Sequence, residues 1–308
     1  MASRDQFLIQ LVKVPPEERH EEQLGSKAKF WFKHEPHGWV LFKRGRENED
    51  WSEKAGTELG RLLGLPCALV DLATCDGQPG IVSPSLLGPR DQLIHGNQLL
   101  LQLNPSYPGR ESYNVRQHTL DAVMSALEEF DVLPWPTVDP PLPETFDAGD
   151  VFVGYLLLDA WIGNSDRHHE NWAILQRDDG RFLSPSYDHA SSLGRNEPDA
   201  RMAGRLRGTD PRSTVEAYAN KCRSALYETP DAVHPMTTRD AFAFAVKNRA
   251  TAGEYWLSRL RALDDQRASE ILESIPDERC SAVHRRFASR ILEINRRHLL
   301  ALAPDAHE

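Results

Sequence analysis

In the segment Asn164-Ser165-Asp166-Arg167-His168-His169-Glu170-Asn171, an aspartate and an asparagine stand five residues apart. A carboxylate that can take a proton and an amide oxygen that can hold a hard cation, set on one loop, form the D-x-x-x-x-N arrangement used in phosphoryl transfer. One side chain must face an acceptor hydroxyl while the other turns back towards phosphates. Magnesium prefers oxygen donors and is usually held by one or two carboxylates together with substrate phosphates. A second ligand is therefore expected one hairpin later, where Asp188 follows Ser186-Tyr187. The five-residue spacing arises by chance in a chain of this size. Its specificity comes from the order of parts: buried helix, Asp/Asn loop, hairpin, aspartate. The competing explanation is that Asp166 and Asp188 serve as turn or capping residues, which aspartate favours.

The elements that must position these groups can be read on either side. Residues 151–163 (VFVGYLLLDAWIG) are apolar on nearly every face, as expected of a buried helix. Residues 172–175 and 182–184 read as strands around the turn Asp178-Asp179-Gly180. Upstream, residues 29–33 and 39–43 form a hairpin across His34-Glu35-Pro36-His37-Gly38. Residues 51–63 carry helical spacing and stop at Gly64, with Pro66 beyond. Lys43 closes the second hairpin strand, which aims its ammonium at a cleft and makes it a candidate for the ATP α/β-phosphates. Glu53 on the following helix is the best partner to fix its rotamer, with Glu58 in reserve. A solvent-facing strand-end lysine is the plainer alternative. Gly25, in Leu24-Gly25-Ser26-Lys27-Ala28-Lys29, could open a loop over the phosphates, although a single glycine matches no established phosphate-loop pattern.

Composition sets the outer bounds. The 308 residues are 40% hydrophobic and 27% charged, an ordinary globular mixture. The net charge of −10 argues against nucleic acid or an anionic membrane surface as the main partner. No apolar run reaches the ~20 residues of a membrane span, and the first ten residues lack the pattern of a secretory signal. Cys67, Cys75, Cys222 and Cys280 show no CxxC or zinc spacing, so a cytoplasmic protein with reduced thiols is expected. Residues 68–73 and 80–83 read as a strand pair around Asp76-Gly77, residues 115–130 as a helix, and residues 133–143 as a proline-rich connector. Helices dominate from Val215, ending in an Arg-rich amphipathic segment at 282–302. The expectation is an α+β, bilobal protein-kinase-like fold, with a β-rich nucleotide-binding N-lobe at 1–105 and a helical C-lobe carrying the catalytic loop at 106–308.

The segment from Ile162 to Trp172, followed by Tyr187-Asp188, resembles the active-site segment of the HipA-like serine/threonine kinases. Val40-Leu41-Phe42-Lys43 and Trp51-Ser52-Glu53 resemble that family's nucleotide-binding strand and the helix after it. Weaker matches lie at Gly80-Ile81-Val82-Ser83 and Leu93-Ile94-His95-Gly96-Asn97. The resemblance covers roughly residues 25–194, and the family's separate N-terminal subdomain is expected to be absent, since the glycine loop starts by residue 25. It implies Asp166 as catalytic base, Asn171 and Asp188 as Mg2+ ligands, and Lys43, Glu53, Gly25 and Ser26 around ATP. His168 stands where many kinases place a lysine near the transferred phosphate, so it either donates there or braces the loop. Ser26 matches a loop serine that the family can autophosphorylate, and a turn-forming serine is the alternative. The implied activity is ATP- and Mg2+-dependent transfer to Ser/Thr of a protein substrate or of the chain's own loop, with an antitoxin-type regulator as a possible partner. Three alternatives stay open: a small-molecule or lipid-headgroup kinase, a nucleotide-binding pseudokinase scaffold, and a metal-dependent hydrolase built on His168, His169, Asp188 and His189.

Overall fold

The computed structural model describes residues 7–22, 28–35 and 37–302. Gly25 and Ser26 lie outside the described residues. The chain begins with four strands, β1 (Gln10–Val12), β2 (His20–Glu21), β3 (Lys29–His34) and β4 (Gly38–Arg44). Helix α1 (Glu49–Leu63) comes next, then β5 (Asp71–Cys75) and β6 (Gln78–Pro84). These strands form one sheet in the order β1-β5-β6-β4-β3-β2, antiparallel except for the β1–β5 pair. The alternation of β4 is what aims Lys43. Val40 and Phe42 enter a small apolar cluster with Phe32, Ala73 and Val82. Lys43, one residue further on, therefore projects from the opposite face, towards α1.

The expected hairpin and the turn at Asp76-Gly77 are both present, with Asp76 and Gly77 at φ of 50° and 72°. Helix α1 starts two residues before the expected Trp51 and stops on Gly64, which caps it in the left-handed conformation.

After the sheet come β7 (Gln92–His95), α2 (Gly96–Leu103), α3 (Leu120–Glu129) and α4 (Ala148–Ile162). The hairpin β8 (Ala173–Arg177) and β9 (Gly180–Leu183) follows. The rest is helical: α5 (Asp199–Arg207), α6 (Val215–Ala219), α7 (Thr238–Asn248), α8 (Ala250–Ala262), α9 (Asp265–Ser274) and α10 (Ala282–Leu300). The expected helix at 115–130 begins only at residue 120, because the Thr119 side chain accepts from Ala122 N and caps it there. The β8–β9 hairpin gains β7 as a third strand, with Ile94 opposite Ile174.

Helix α4 is the axis of the larger core. Every residue from Ala148 to Ile162 except Asp150 is buried, against α7, α8 and α10. Truncating one of its leucines, such as Leu157, to alanine is expected to cost about 2–5 kcal/mol. Asp147 caps the start of the helix by accepting from Asp150 N. Gly163 ends it at φ +65°, a backbone turn that glycine adopts without strain and that starts the Asp166 loop. Among the described residues no helix is long and apolar enough to cross a membrane, and all four cysteines are free.

Candidate functional site

The Asp166 loop is held from beneath by a buried ion pair. Asp159 belongs to the apolar helix α4 and is 3% exposed; Arg167, 1% exposed, meets it with Nε to Oδ2 and Nη2 to Oδ1, both at 2.8 Å. Asn164 donates to the same carboxylate at 2.8 Å. Arg167 also donates to the Asn171 carbonyl at 2.8 Å and to Ser186 Oγ at 3.0 Å. A single guanidinium thus ties together helix α4, the far end of the loop and the segment leading from β9 to Asp188. Its fixed planar fork can do this where a lysine could not. The sequence carried a signal for this brace, because a carboxylate in the middle of YLLLDAWI must find a buried cation. Arg167, Asp159 and Ser186 were nonetheless absent from the residues expected to matter.

The other face of the loop opens outwards. Asp166 and Asp188 are 28% and 30% exposed at the side chain. Ser191 donates to Asp166 Oδ2 at 3.4 Å, and the Asp166 carbonyl accepts from Asn171 Nδ2 at 2.6 Å. The second bond locks the asparagine amide and orients it. His168 Nε2 lies 3.8 Å from Asp166 Oδ1. Asp188 sits at φ +55°, a left-handed conformation that aspartate tolerates better than most residues.

Lys43 and Glu53 join this face from the sheet side. Lys43 Nζ lies 2.7 Å from Asp188 Oδ1 and 3.7 Å from Glu53 Oε2. Burial opposes the ammonium charge, but the Asp188 and Glu53 carboxylates outweigh it and hold the lysine pKa above its ordinary value. Glu53 is fixed in turn by His189 N, which donates to Oε1 at 2.9 Å. Glu58, the reserve partner, is instead engaged by Lys54 and Arg61. The His189 ring bridges Ser186 Oγ at 2.8 Å and Thr57 Oγ1 at 3.1 Å, and burial pushes its pKa down to about 3. Gly56 permits this contact between α1 and the Asp188 segment, since a Cβ there would meet His189 Cβ at 2.7 Å.

The loop thus brings together Asp166, His168 and Asn171, and Asp188, Lys43 and Glu53 adjoin it. The four groups of the hydrolase alternative do not converge. His169 pairs with the Tyr107 hydroxyl at 2.7 Å, while His189 turns to Ser186 and Thr57. Burial, then His168, lowers the His169 pKa to about 4. Among the described residues no three His, Cys, Asp or Glu side chains form a metal cluster. A carboxylate at Asp188 and an amide oxygen at Asn171 fit magnesium in another way, as two hard donors that leave other positions to phosphate oxygens.

No protein-family model matches the chain, and no curated protein matches it in sequence. Solved structures do match. The proinflammatory kinase CtkA of Helicobacter pylori superposes over 94% of both chains, with a TM-score of 0.71 at 18% identity. HipA of Shewanella oneidensis MR-1, solved with HipB and operator DNA, has a TM-score of 0.57 at 13% identity, over 90% of this chain and 65% of that one. At such identities the shared property is the fold, a kinase fold with a β-rich first part and a helical second part. Both neighbours belong to the kinase group that the motif segments resemble.

Proposed function

We propose that this chain is a phosphotransferase that moves the γ-phosphoryl group of ATP to a hydroxyl, most simply a serine or threonine of a protein. The observation that carries the proposal is the junction of Lys43, Glu53 and Asp188, supplied by three separate segments, with the Asp188 segment tied to the Asp166 loop through the bond from Arg167 to Ser186. The kinase fold of CtkA and HipA supports it independently.

In this reading Asp166 orients the acceptor hydroxyl and takes its proton as the oxygen attacks, the role a positioned carboxylate can fill. Lys43, kept charged by its two carboxylates and braced by Glu53, contacts the phosphates. Asn171 and Asp188 would hold Mg2+, which when bound neutralises charge on the phosphate oxygens. His168 lies within reach of Asp166 and donates towards the transferred group. Gly25 and Ser26 remain proposals of the sequence alone, a phosphate-covering loop and its modifiable serine. An antitoxin-type regulator is likewise a proposal, supported only by the presence of HipB in the HipA structure.

The test is incubation with γ-labelled ATP and magnesium, comparing the protein with Asp166→Ala and Asp188→Ala. Incorporation of label that disappears in both variants supports the proposal. Absence of MgATP binding to the folded protein would sink it.

A further inference from the structure

The segment from 104 to 118 joins α2 to α3 and is pinned at both ends. Asn97 Nδ2 donates to the Gly109 carbonyl at 2.9 Å, and the Tyr107 hydroxyl pairs with His169. At the far end the His118 ring is fixed between the Ala225 carbonyl at 3.1 Å and Trp172 Nε1 at 3.2 Å. Between these anchors Tyr113 stands 67% exposed, among the most exposed large side chains among the described residues. Its ring nevertheless has a definite seat, edge-on to His168 with centroids 5.7 Å apart. His168 is the residue whose Nε2 lies 3.8 Å from Asp166 Oδ1. The chain turns away directly afterwards, at Asn114 with φ +59°. A tyrosine held out on a braced loop and seated against His168, itself next to the candidate base, is in the place of an acceptor residue.

We propose that Tyr113 is a phosphoacceptor of this chain's own site, modified in an intramolecular reaction. This rests on the phosphotransferase reading above and adds the acceptor to it. The Tyr113 oxygen attacks the γ-phosphorus of ATP. A new O–P bond forms, the bond to the β,γ-bridging oxygen breaks, ADP departs, and the phenolic proton passes to the Asp166 carboxylate. The electrostatics agree: Asp166, then partial burial and Asp188, raise the pKa of the hydroxyl, so it starts protonated and needs a base. Arg46, in the connection between β4 and α1, acts on the same hydroxyl in the opposite sense.

The full chain is incubated with MgATP, and the tryptic peptide 111–116 is then sequenced by mass spectrometry, with MgATP binding followed in parallel by calorimetry. That peptide also contains Ser112, so fragmentation must separate the two hydroxyls. The expected result is phosphate on Tyr113, lost in Tyr113→Phe and in Asp166→Asn, with a rate constant independent of protein concentration. Tyr113→Phe keeps the ring against His168 and removes only the acceptor oxygen. Phosphate on Ser112 or elsewhere with Tyr113 unmodified overturns the proposal and leaves the kinase reading standing. No incorporation despite bound MgATP overturns it as well, and a rate constant that rises with concentration overturns its intramolecular form. Failure to bind MgATP brings down the kinase reading, and this proposal with it.

Discussion

The eight residues from Asn164 to Asn171 present two faces with opposite characters. Asn164, Arg167 and His169 are buried, Ser165, Asp166, His168 and Glu170 face partly or fully outwards, and Asn171, itself buried, links the two faces through its bonds to Arg167 and to the Asp166 carbonyl. On the inner face charge is matched: Arg167 and Asp159 share two hydrogen bonds, and both loop ends close on them. On the outer face both carboxylates are partly exposed, Asp188 pairing with Lys43 and Asp166 accepting from Ser191. A buried charge without a partner is costly, so the inner face must be complete in the resting protein. The outer face meets water, and in the proposed function it is where a cation and a phosphate would be taken up. Side chains of the same types thus build on one side and, in the proposed function, react on the other.

Breaking the inner face should have the largest effect. Arg167→Ala leaves Asp159 uncompensated inside α4, with an expected loss of about 3–5 kcal/mol in urea unfolding and the disappearance of any transfer activity. A variant as stable as the parent would show that the pair does not brace the loop. Lys43→Met acts between the two faces. Loss of a charge-assisted phosphate contact should weaken nucleotide binding by about 1.5–3 kcal/mol, measured by calorimetry, with a smaller loss in unfolding because the buried Glu53 gives up its cation. A larger effect on folding than on binding would make Lys43 a structural residue.

Acid should attack the inner face selectively. His118 and His189 are fully buried, and burial lowers both pKa values from 6.5 to about 3. The unfolded chain binds protons that the folded one refuses, so their contribution is complete above about pH 6.5 and is lost as pH falls towards 3. Thermal unfolding followed from pH 7 to pH 4 should show stability falling by up to about 1.4 kcal/mol per pH unit for each histidine. His189→Gln should flatten that slope, and an unchanged slope would remove His189 from the explanation. The smallest effect belongs to His168→Ala on the outer face. Loss of one hydrogen-bond donor is expected to slow transfer by about fivefold, close to 1 kcal/mol, with unfolding unaffected.

The same division explains what could be read from the sequence. Asp166, Asn171 and Asp188 were legible because their spacing is local and the helix and hairpin around them carry strong periodic patterns. Lys43 and Glu53 were legible because strand and helix periods fix the direction of a side chain. Strand β1 was not, since three residues pairing in parallel with β5 leave no local pattern. The third strand β7 is four residues long and runs straight into α2, so its pairing with β8 is set by tertiary contact alone. Arg167 hid among charged neighbours, although the aspartate in the apolar helix pointed to it. Tyr113 had no signal at all, because its approach to His168 depends on how the 104–118 loop is pinned.

The most direct measurement sets Asp166→Asn beside the unaltered protein, following MgATP binding by calorimetry and phosphoryl transfer from labelled ATP in the same samples. If Asp166 is the base on the outer face, the variant binds MgATP with nearly unchanged affinity and unfolds normally, while transfer falls by about 10²–10⁴-fold. Transfer at the parent's rate, or loss of folding together with activity, would contradict the assignment.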